Sequence, residues 1–390
     1  MLKRVEKQNL KDLKDACVLA KDAKFPSPFD SKLEFSCSAR GPWNIVHTGM
    51  LIPQAHEVYV CAQSCLRGVV LTAAEMNAID RFSNIIVREN NILEGDTEDL
   101  IVEGMGDILE KLPYTPRAIL VYTSCIHHFI GCDLNLVYKR LREKYPNVEF
   151  TDCYMNPIMR KSGLTPDQLM RRQLYSLLDK QDLDLKIVNI IGNNLKTDDD
   201  SELVKIIKEN GFTLREVPRT KTYDEYKEMG KAFLNITYNP AAIEAGRYLE
   251  KKLGQKHLYL PLSYGFDEIE KTLDTLCENL GIEKIDFSSN KQQALDALKK
   301  AKEVIGGTPI EIDYTLTLRP ASLARLLLEN GFNVVAIYED CFAGEEEEDF
   351  KWIQENYPNL KIYATVHVKM RFVNRKRDEK LLALGQKAAY

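Results

Sequence analysis

Short runs rich in β-branched and aromatic residues alternate, from about residue 56 onward, with longer stretches whose apolar positions recur three and four apart. That alternation predicts parallel strands joined by helical crossovers. The runs place strands over Glu57–Val60, Asn84–Val87, Arg117–Tyr122, Val148–Thr151, Lys186–Ile191, Leu234–Thr237, His257–Leu260, Pro309–Ile312, Asn333–Tyr338 and Lys361–Tyr363. Between them, LNLVYKRLREKY after Gly131 and TPDQLMRRQLYSLL from Thr165 carry the helical period, and Thr165 with Pro166 reads as an N-cap followed by proline in the first turn. The opening MLKRVEKQNLKDLKD predicts a charged amphipathic helix, and RDEKLLALGQKAA a C-terminal one. The acidic run Glu345 to Phe350 predicts a solvated helix start, which the helix dipole favours. The fold expected is α/β, with three doubly wound parallel-sheet (Rossmann-like) units. No long Pro/Gly/Ser linker marks the seams; the breaks near Lys180 and before the helix KQQALDALKKAKEVIGG give units over 1–180, 181–289 and 290–390.

Composition narrows the class of partner. A chain of 390 residues, 44% hydrophobic and 28% charged, can bury more than one core without staples. Its formal charge of -5, with basic residues scattered among acidic ones, offers no footprint for nucleic acid or anionic lipid. No apolar stretch approaches the roughly 20 residues of a membrane span, and the charged start lacks a signal-peptide centre, so a cytoplasmic chain is expected.

In a reducing compartment nine cysteines point to metal or redox work rather than to disulfides. Cys17, Cys37, Cys61, Cys65, Cys125, Cys132 and Cys153 crowd the first part of the chain, and only Cys277 and Cys341 lie beyond. In doubly wound sheets chemistry gathers past the carboxyl ends of the strands. Cys61 follows EVYV, Cys125 follows AILVYTS, Cys153 follows VEFTD and Cys341 follows VVAIYED, whereas Cys37 sits in the loop FSCSARGPW. Folded across the top of the sheet, that loop would bring Cys37 to Cys61 and Cys125. Cys17 and Cys277 read as small core residues. There is no G-x-x-x-x-G-K-[ST] loop for ATP, and Gly104-Met105-Gly106 lies inside a helical pattern rather than after a strand, so neither ATP hydrolysis nor NAD binding is expected of this chain. No G-x-S-x-G motif or zinc-spaced histidine pair suggests hydrolysis.

Three elements resemble the nitrogenase component 1 superfamily, which includes the nitrogenase α and β subunits, their assembly scaffold and the light-independent protochlorophyllide reductase. They are Cys37 in its Gly/Pro-containing loop; HEVYVCAQSCLRG, where His56 and Cys61 match the family's H-G-P-x-G-C turn with its glycines replaced; and TSCIHHFIGCDL, where Cys125 followed by Ile130, Gly131 and Asp133 matches a Cys before I-G-D-D. In the family those three cysteines hold an electron-relay cluster at a subunit interface. The resemblance therefore implies that Cys37, Cys61 and Cys125 bind an iron-sulfur cluster, a four-iron cubane or one like the nitrogenase P-cluster. Cubanes want four thiolates, and Cys65, one turn beyond Cys61, and Cys132 are further thiols close in sequence. His127 or His128 could donate a hydrogen bond to a cluster sulfur, and Arg40 and Arg67 could stabilise thiolates.

The resemblance also implies partners: an ATP-dependent iron protein as electron donor, and a sibling component 1 subunit or a second copy of this chain. Where nitrogenase α subunits anchor their large cofactor by a cysteine after a segment like LNITYNP, this chain has Asn239, and only His367 stands late enough to be compared with the histidine anchor. A β-type or cofactor-free subunit is expected. A substrate pocket is expected past the strand ends, walled by Asn239, Ser263 to Gly265, Thr315 to Arg319 and Cys341, with Arg319 before a helix start poised for an anion or paired with Asp313. Three functions remain open on this reading: a reductase subunit, a scaffold for metal-cofactor or tetrapyrrole assembly, and a cluster-free α/β binding protein.

Overall fold

The computed structural model of the chain describes residues 15–30, 45–155, 163–372 and 380–389. The expected N-terminal helix, Cys37 and Arg40 lie outside the described residues, apart from the helix's last residue. The strands are β1 (Cys17–Leu19), β2 (Ala55–Cys61), β3 (Phe82–Ile86), β4 (Ala118–Ser124), β5 (Glu149–Met155), β6 (Asp184–Ile190), β7 (Thr213–Arg215), β8 (Ala232–Thr237), β9 (Lys256–Tyr259), β10 (Ile310–Asp313), β11 (Val334–Tyr338), β12 (Lys361–Tyr363) and β13 (Leu382–Leu384). They form three sheets, ordered β3-β2-β4-β5, β7-β6-β8-β9 and β1-β12-β11-β10-β13. Every pairing is parallel except that of β1 with β12. The expected α/β architecture of several parallel sheets is thus observed. The chain divides into two compact units, Trp43–Leu260 with the first two sheets, and Met1–Pro42 with Pro261–Tyr390 carrying the third.

The first sheet shows how the sequence fixes the layers. Successive strand residues point to opposite faces. Tyr59 and Cys61 of β2 and Ala118, Leu120 and Tyr122 of β4 enter one core with Leu66, Val69 and Ala73 of the helix Gln63–Glu75. Val58, Val60, Ile119 and Val121 enter another with Ile101, Val102 and Met105 of the helix Thr97–Lys111 and Val137 and Leu141 of the helix Leu134–Lys144. Both faces are covered, so both sets of positions are apolar and the strands read as continuous hydrophobic runs. Each such Val, Ile or Leu contributes about 1.5–3 kcal/mol on full burial.

Several expectations are corrected. The segment from His56 to Cys61 is unbroken strand, not a turn; Glu57, Val58 and Val60 stand where glycines would have allowed a tight bend, and all pack in the interior. Strand β5 runs on to Met155, which puts Cys153 opposite Tyr122 inside the ladder rather than past its end. The C-terminal LLAL run is strand β13, parallel to β10, and only Gln386–Ala389 is helical. The acidic run begins as a short 3-10 turn ahead of the helix Glu347–Asn356, yet Glu346 within it is fully buried. Its Oε1 accepts hydrogen bonds from the backbone N–H groups of Ala321 at 2.7 Å and Ser322 at 3.2 Å, which opens the helix Pro320–Glu329 with an internal carboxylate.

Candidate functional site

In the first sheet the chain leaves β2 for β3 on one side and β4 on the other, so the carboxyl ends of β2 and β4 flank a topological switch point. The register pairs Val60 with Thr123, which sets Cys61, the last residue of β2, beside Ser124, the last of β4. Cys125 then opens the helix Cys125–Ile130, and Cys65 lies in the first turn of the helix Gln63–Glu75 that follows Cys61. The sheet thus delivers Cys61 and Cys125 to neighbouring strand ends, with Cys65 at the same edge. Cys61 is buried, Cys125 half-buried and Cys65 exposed. Burial, and after it the nearby Cys65 sulfur, pushes the Cys61 thiol up to about 12. Without a metal it therefore keeps its proton.

Ser124 was not anticipated, because nothing distinguishes a serine at a strand end in sequence. It is only 3% exposed and its hydroxyl has no partner, not even the helix N-terminus it precedes. Strand alternation puts it on the face of Tyr122, the same face as Cys61. An unpaired buried hydroxyl costs about 1–3 kcal/mol, which a ligand at this edge would offset.

Other candidates separate from this pair. Cys132 packs against the opposite core, the one containing Val58 and Val60; burial, then the Glu98 carboxylate beside it, drives its thiol up to about 12. His127 is buried with Nδ1 donating to the Ser124 carbonyl at 3.2 Å, and burial lowers its pKa below the usual histidine value. In that neutral tautomer Nε2, which has no partner, is an acceptor, so it cannot give the hydrogen bond expected of it. His56 stands at the other end of β2, bonded to Tyr114 Oη and Ser83 Oγ at 2.8 Å each, and takes no part at this edge. Arg67 is exposed.

The expected pocket residues fall in different units. Asn239 ends β8's loop as a cap, its Oδ1 accepting from Ala241 N at 3.0 Å. Arg319, 3% exposed, does not pair with Asp313. It donates to Glu268 Oε2 at 3.2 Å, to the Glu345 carbonyl at 2.7 Å and to Asp349 Oδ2 at 3.4 Å, while the helix start beside it is filled by Glu346. The anion anticipated at this place is supplied by the chain. Ser263 Oγ accepts from Gly265 N at 2.9 Å, and Thr315 is bound to Asp313. Cys341 is exposed beyond β11, with Ser27 Oγ 3.5 Å from its sulfur.

Among the described residues no three His, Cys, Asp or Glu side chains converge on a point that could hold a single metal ion. A cluster makes a different demand, since each thiolate of a cubane binds its own iron and the sulfurs need not converge. Thiols at two adjacent strand ends, a third one turn away and an unpartnered buried hydroxyl on the last residue of β4 fit that chemistry.

The sequence matches the nitrogenase component 1 type oxidoreductase family over residues 46–382, and the chain belongs to that family. It is 23% identical over 255 residues to the nitrogenase iron-molybdenum cofactor biosynthesis protein NifE of Clostridium pasteurianum, a match covering 64% of this chain and 53% of that protein, so the chain spans about half the length of this curated relative. Its fold is similar to nitrogenase Cp1 solved at pH 6.5, with a TM-score of 0.62 and 14% identity over 86% of this chain and 79% of the other. Nitrogenase Cp1 at pH 5 is similar too, with a TM-score of 0.58 and 13% identity over 97% and 87%.

Proposed function

We propose that this chain is the cluster-bearing subunit of a nitrogenase-like reductase, holding an iron-sulfur cluster at the switch point of its first sheet. The observation that carries the reading is the placement of Cys61 and Cys125 at the adjacent carboxyl ends of β2 and β4. Cys37 is the remaining ligand that the family motif assigns. When bound, the cluster supplies one-electron chemistry at low potential. The chain's own part is to present thiolates from rigid strand ends and to exclude water around Cys61. Because Cys61 is protonated when free, cluster assembly must release its proton, and loading should be slower at low pH.

Electrons arrive from an ATP-hydrolysing iron protein, since the sequence has no phosphate loop of its own. A sibling subunit or second copy covers the cluster edge. The apolar side chains of Leu93, 80% exposed, and Phe129, 68% exposed, follow β3 and β4 at this end of the sheet and support that contact. A second reading, a scaffold on which a metal cofactor is assembled, is favoured by the likeness to a cofactor biosynthesis protein and by Asn239, whose amide is a cap rather than a soft metal anchor.

Anaerobically purified protein should contain iron and acid-labile sulfide. Cys61→Ala and Cys125→Ala should each lose at least about tenfold of the iron, whereas Cys277→Ala keeps it. Full iron in both single variants sinks the assignment. ATP-dependent reduction of the cluster by an iron protein, followed by multiple substrate turnovers, supports the reductase; release of an assembled cofactor without turnover supports the scaffold.

A further inference from the structure

We propose that Glu57 and Tyr122 form a proton-operated latch on the helix Ile45–Gly49. With a proton on Glu57 the Tyr122 hydroxyl donates to the Ile45 carbonyl; without it that hydroxyl turns to the Glu57 carboxylate. The latch needs no cluster, and Glu57 occupies a position that the resembled motif gives to glycine.

The Tyr122 hydroxyl has one hydrogen and three acceptors in reach: Ile45 O at 3.1 Å, Met170 Sδ at 3.1 Å and Glu57 Oε1 at 3.3 Å. The other carboxyl oxygen, Glu57 Oε2, accepts from Tyr59 Oη at 3.2 Å. A neutral Glu57 satisfies this set as a directed chain, in which Tyr59 donates to Oε2, the acid O–H on Oε1 donates to Tyr122, and Tyr122 donates to Ile45. An ionised Glu57 has no hydrogen to give. It takes the hydrogen of Tyr122 instead, because a charged acceptor outcompetes a carbonyl or a thioether, and the tie to Ile45 is lost. The site is sealed. Glu57 is 1% exposed, Tyr59 and Tyr122 are stacked with ring centroids 4.3 Å apart, and a Cβ on Gly49 would lie 2.2 Å from both Glu57 Oε1 and Tyr122 Oη, so the helix backbone rests on the acid itself.

The surrounding groups leave Glu57 as the one that switches. Arg81 acts on it from the turn Ile79–Arg81, but its guanidinium is occupied by the carbonyls of Met50, Ile52 and Ala55. Burial keeps the proton on Cys153 of β5 and on both tyrosines. On the latched helix, His47 has Glu75 as its charged neighbour; on the helix Pro166–Gln173, Asp167 pairs with Arg171 and Arg172 lies over Tyr248. On the helix Gln63–Glu75, Cys65 and Arg67 are exposed. Burial, opposed by Tyr59, Arg81 and Tyr122, holds the Glu57 carboxyl well above the ordinary 4.5. The latch is therefore closed at low pH and opens as pH rises through that folded value, the direction a raised carboxyl dictates.

The test uses the full chain. Difference infrared spectra of wild type against Glu57→Gln at neutral pH read the carboxylic-acid C=O stretch. Hydrogen–deuterium exchange of residues 45–50 is followed from about pH 6.5 to about pH 9.5, with the helix Thr97–Lys111 as internal reference for the chemical exchange rate. Wild type should show the acid band, and its 45–50 amides should lose protection at least about tenfold more than the reference over that range. Glu57→Gln, whose amide donates to Tyr122 as the acid does and cannot ionise, should keep the protection throughout. Tyr122→Phe should lose about tenfold already at the acid end of the range. A missing acid band, a wild-type profile as flat as that of Glu57→Gln, or a Glu57→Gln profile that falls with wild type each overturns the latch. If circular dichroism shows Glu57→Gln unfolded, Tyr122→Phe decides, since wild-type protection with wild-type pH dependence in that variant overturns it as well.

Discussion

His56 shows how a residue chosen for one role by motif can serve another by environment. In sequence it marked the beginning of a cluster loop; in the fold it is a fully buried imidazole between Tyr114 and Ser83, and burial, with the Arg81 charge second, depresses its pKa to about 4. A folded pKa below the ordinary 6.5 means that the unfolded chain binds the proton more readily. Stability tied to His56 is therefore complete above about pH 6.5 and is lost as pH falls toward 4, by an amount on the order of 3 kcal/mol. Urea melts of His56→Gln should be less stable than wild type at pH 7.5 but flatter between pH 6.5 and 4.5. A variant keeping the full wild-type acid slope would assign that slope elsewhere. That Cys61 and Cys125 lie at the close of two apolar runs was legible in sequence; that Cys153 falls inside its ladder and Cys132 against the opposite core was not, because strand ends and helix faces are settled only by pairing and packing. Ser124 and the tautomer of His127 were not, because each depends on what fails to lie within hydrogen-bonding distance.

At the scale of elements, the ten strands read from apolar runs are all present, and those missed are β1, β7 and β13, each only three residues long. β12 is as short and was read, so length alone does not hide a strand; β13 sits within an apolar LLAL segment that suits helix or strand equally until β10 pairs with it. Glu346 illustrates a second blind spot. A row of four glutamates reads as solvent-facing, but one of them has turned inward to cap the start of another helix. Burial, opposed by its backbone hydrogen bonds and by Arg319, lifts its carboxyl to about 7. Because the folded pKa lies above the ordinary 4.5, the associated stability is full below about pH 4.5 and disappears as pH rises through 7, on the order of 3 kcal/mol. Glu346→Gln should flatten that decline, and Glu346→Ala, which strands the backbone N–H groups of Ala321, Ser322 and Ala343, should cost about 2–3 kcal/mol in chemical denaturation at neutral pH. Loss of less than a few tenths would remove Glu346 from any capping role. Gly49 makes a comparable prediction: a Cβ there meets Glu57 Oε1 and Tyr122 Oη inside the core, so Gly49→Ala should destabilise by about 1–3 kcal/mol, as overpacking does, measured by thermal melting.

For the whole molecule, the exposed apolar side chains of Leu93 and Phe129 at the carboxyl end of the first sheet predict association. Leu93→Asp with Phe129→Asp should weaken self-association, or binding of a co-expressed sibling subunit, by about tenfold or more in sedimentation velocity. An unchanged distribution of species would place the contact elsewhere. Among the described residues no helix is long and apolar enough to cross a membrane. A different consequence follows from β1, the strand near the beginning of the chain that pairs antiparallel with β12 near its end. The unit Trp43–Leu260 is one continuous stretch, whereas the other joins Met1–Pro42 to Pro261–Tyr390. On the ribosome β1 therefore emerges ahead of the other described strands and waits longest for its partner. The continuous unit can close while synthesis proceeds, but β1 must wait with its edge unpaired until β12 has been made. Nascent chains stalled near residue 300 should already protect the Trp43–Leu260 unit from protease while leaving Cys17–Leu19 open to cleavage, and protection of that strand should come only once Lys361–Tyr363 has emerged.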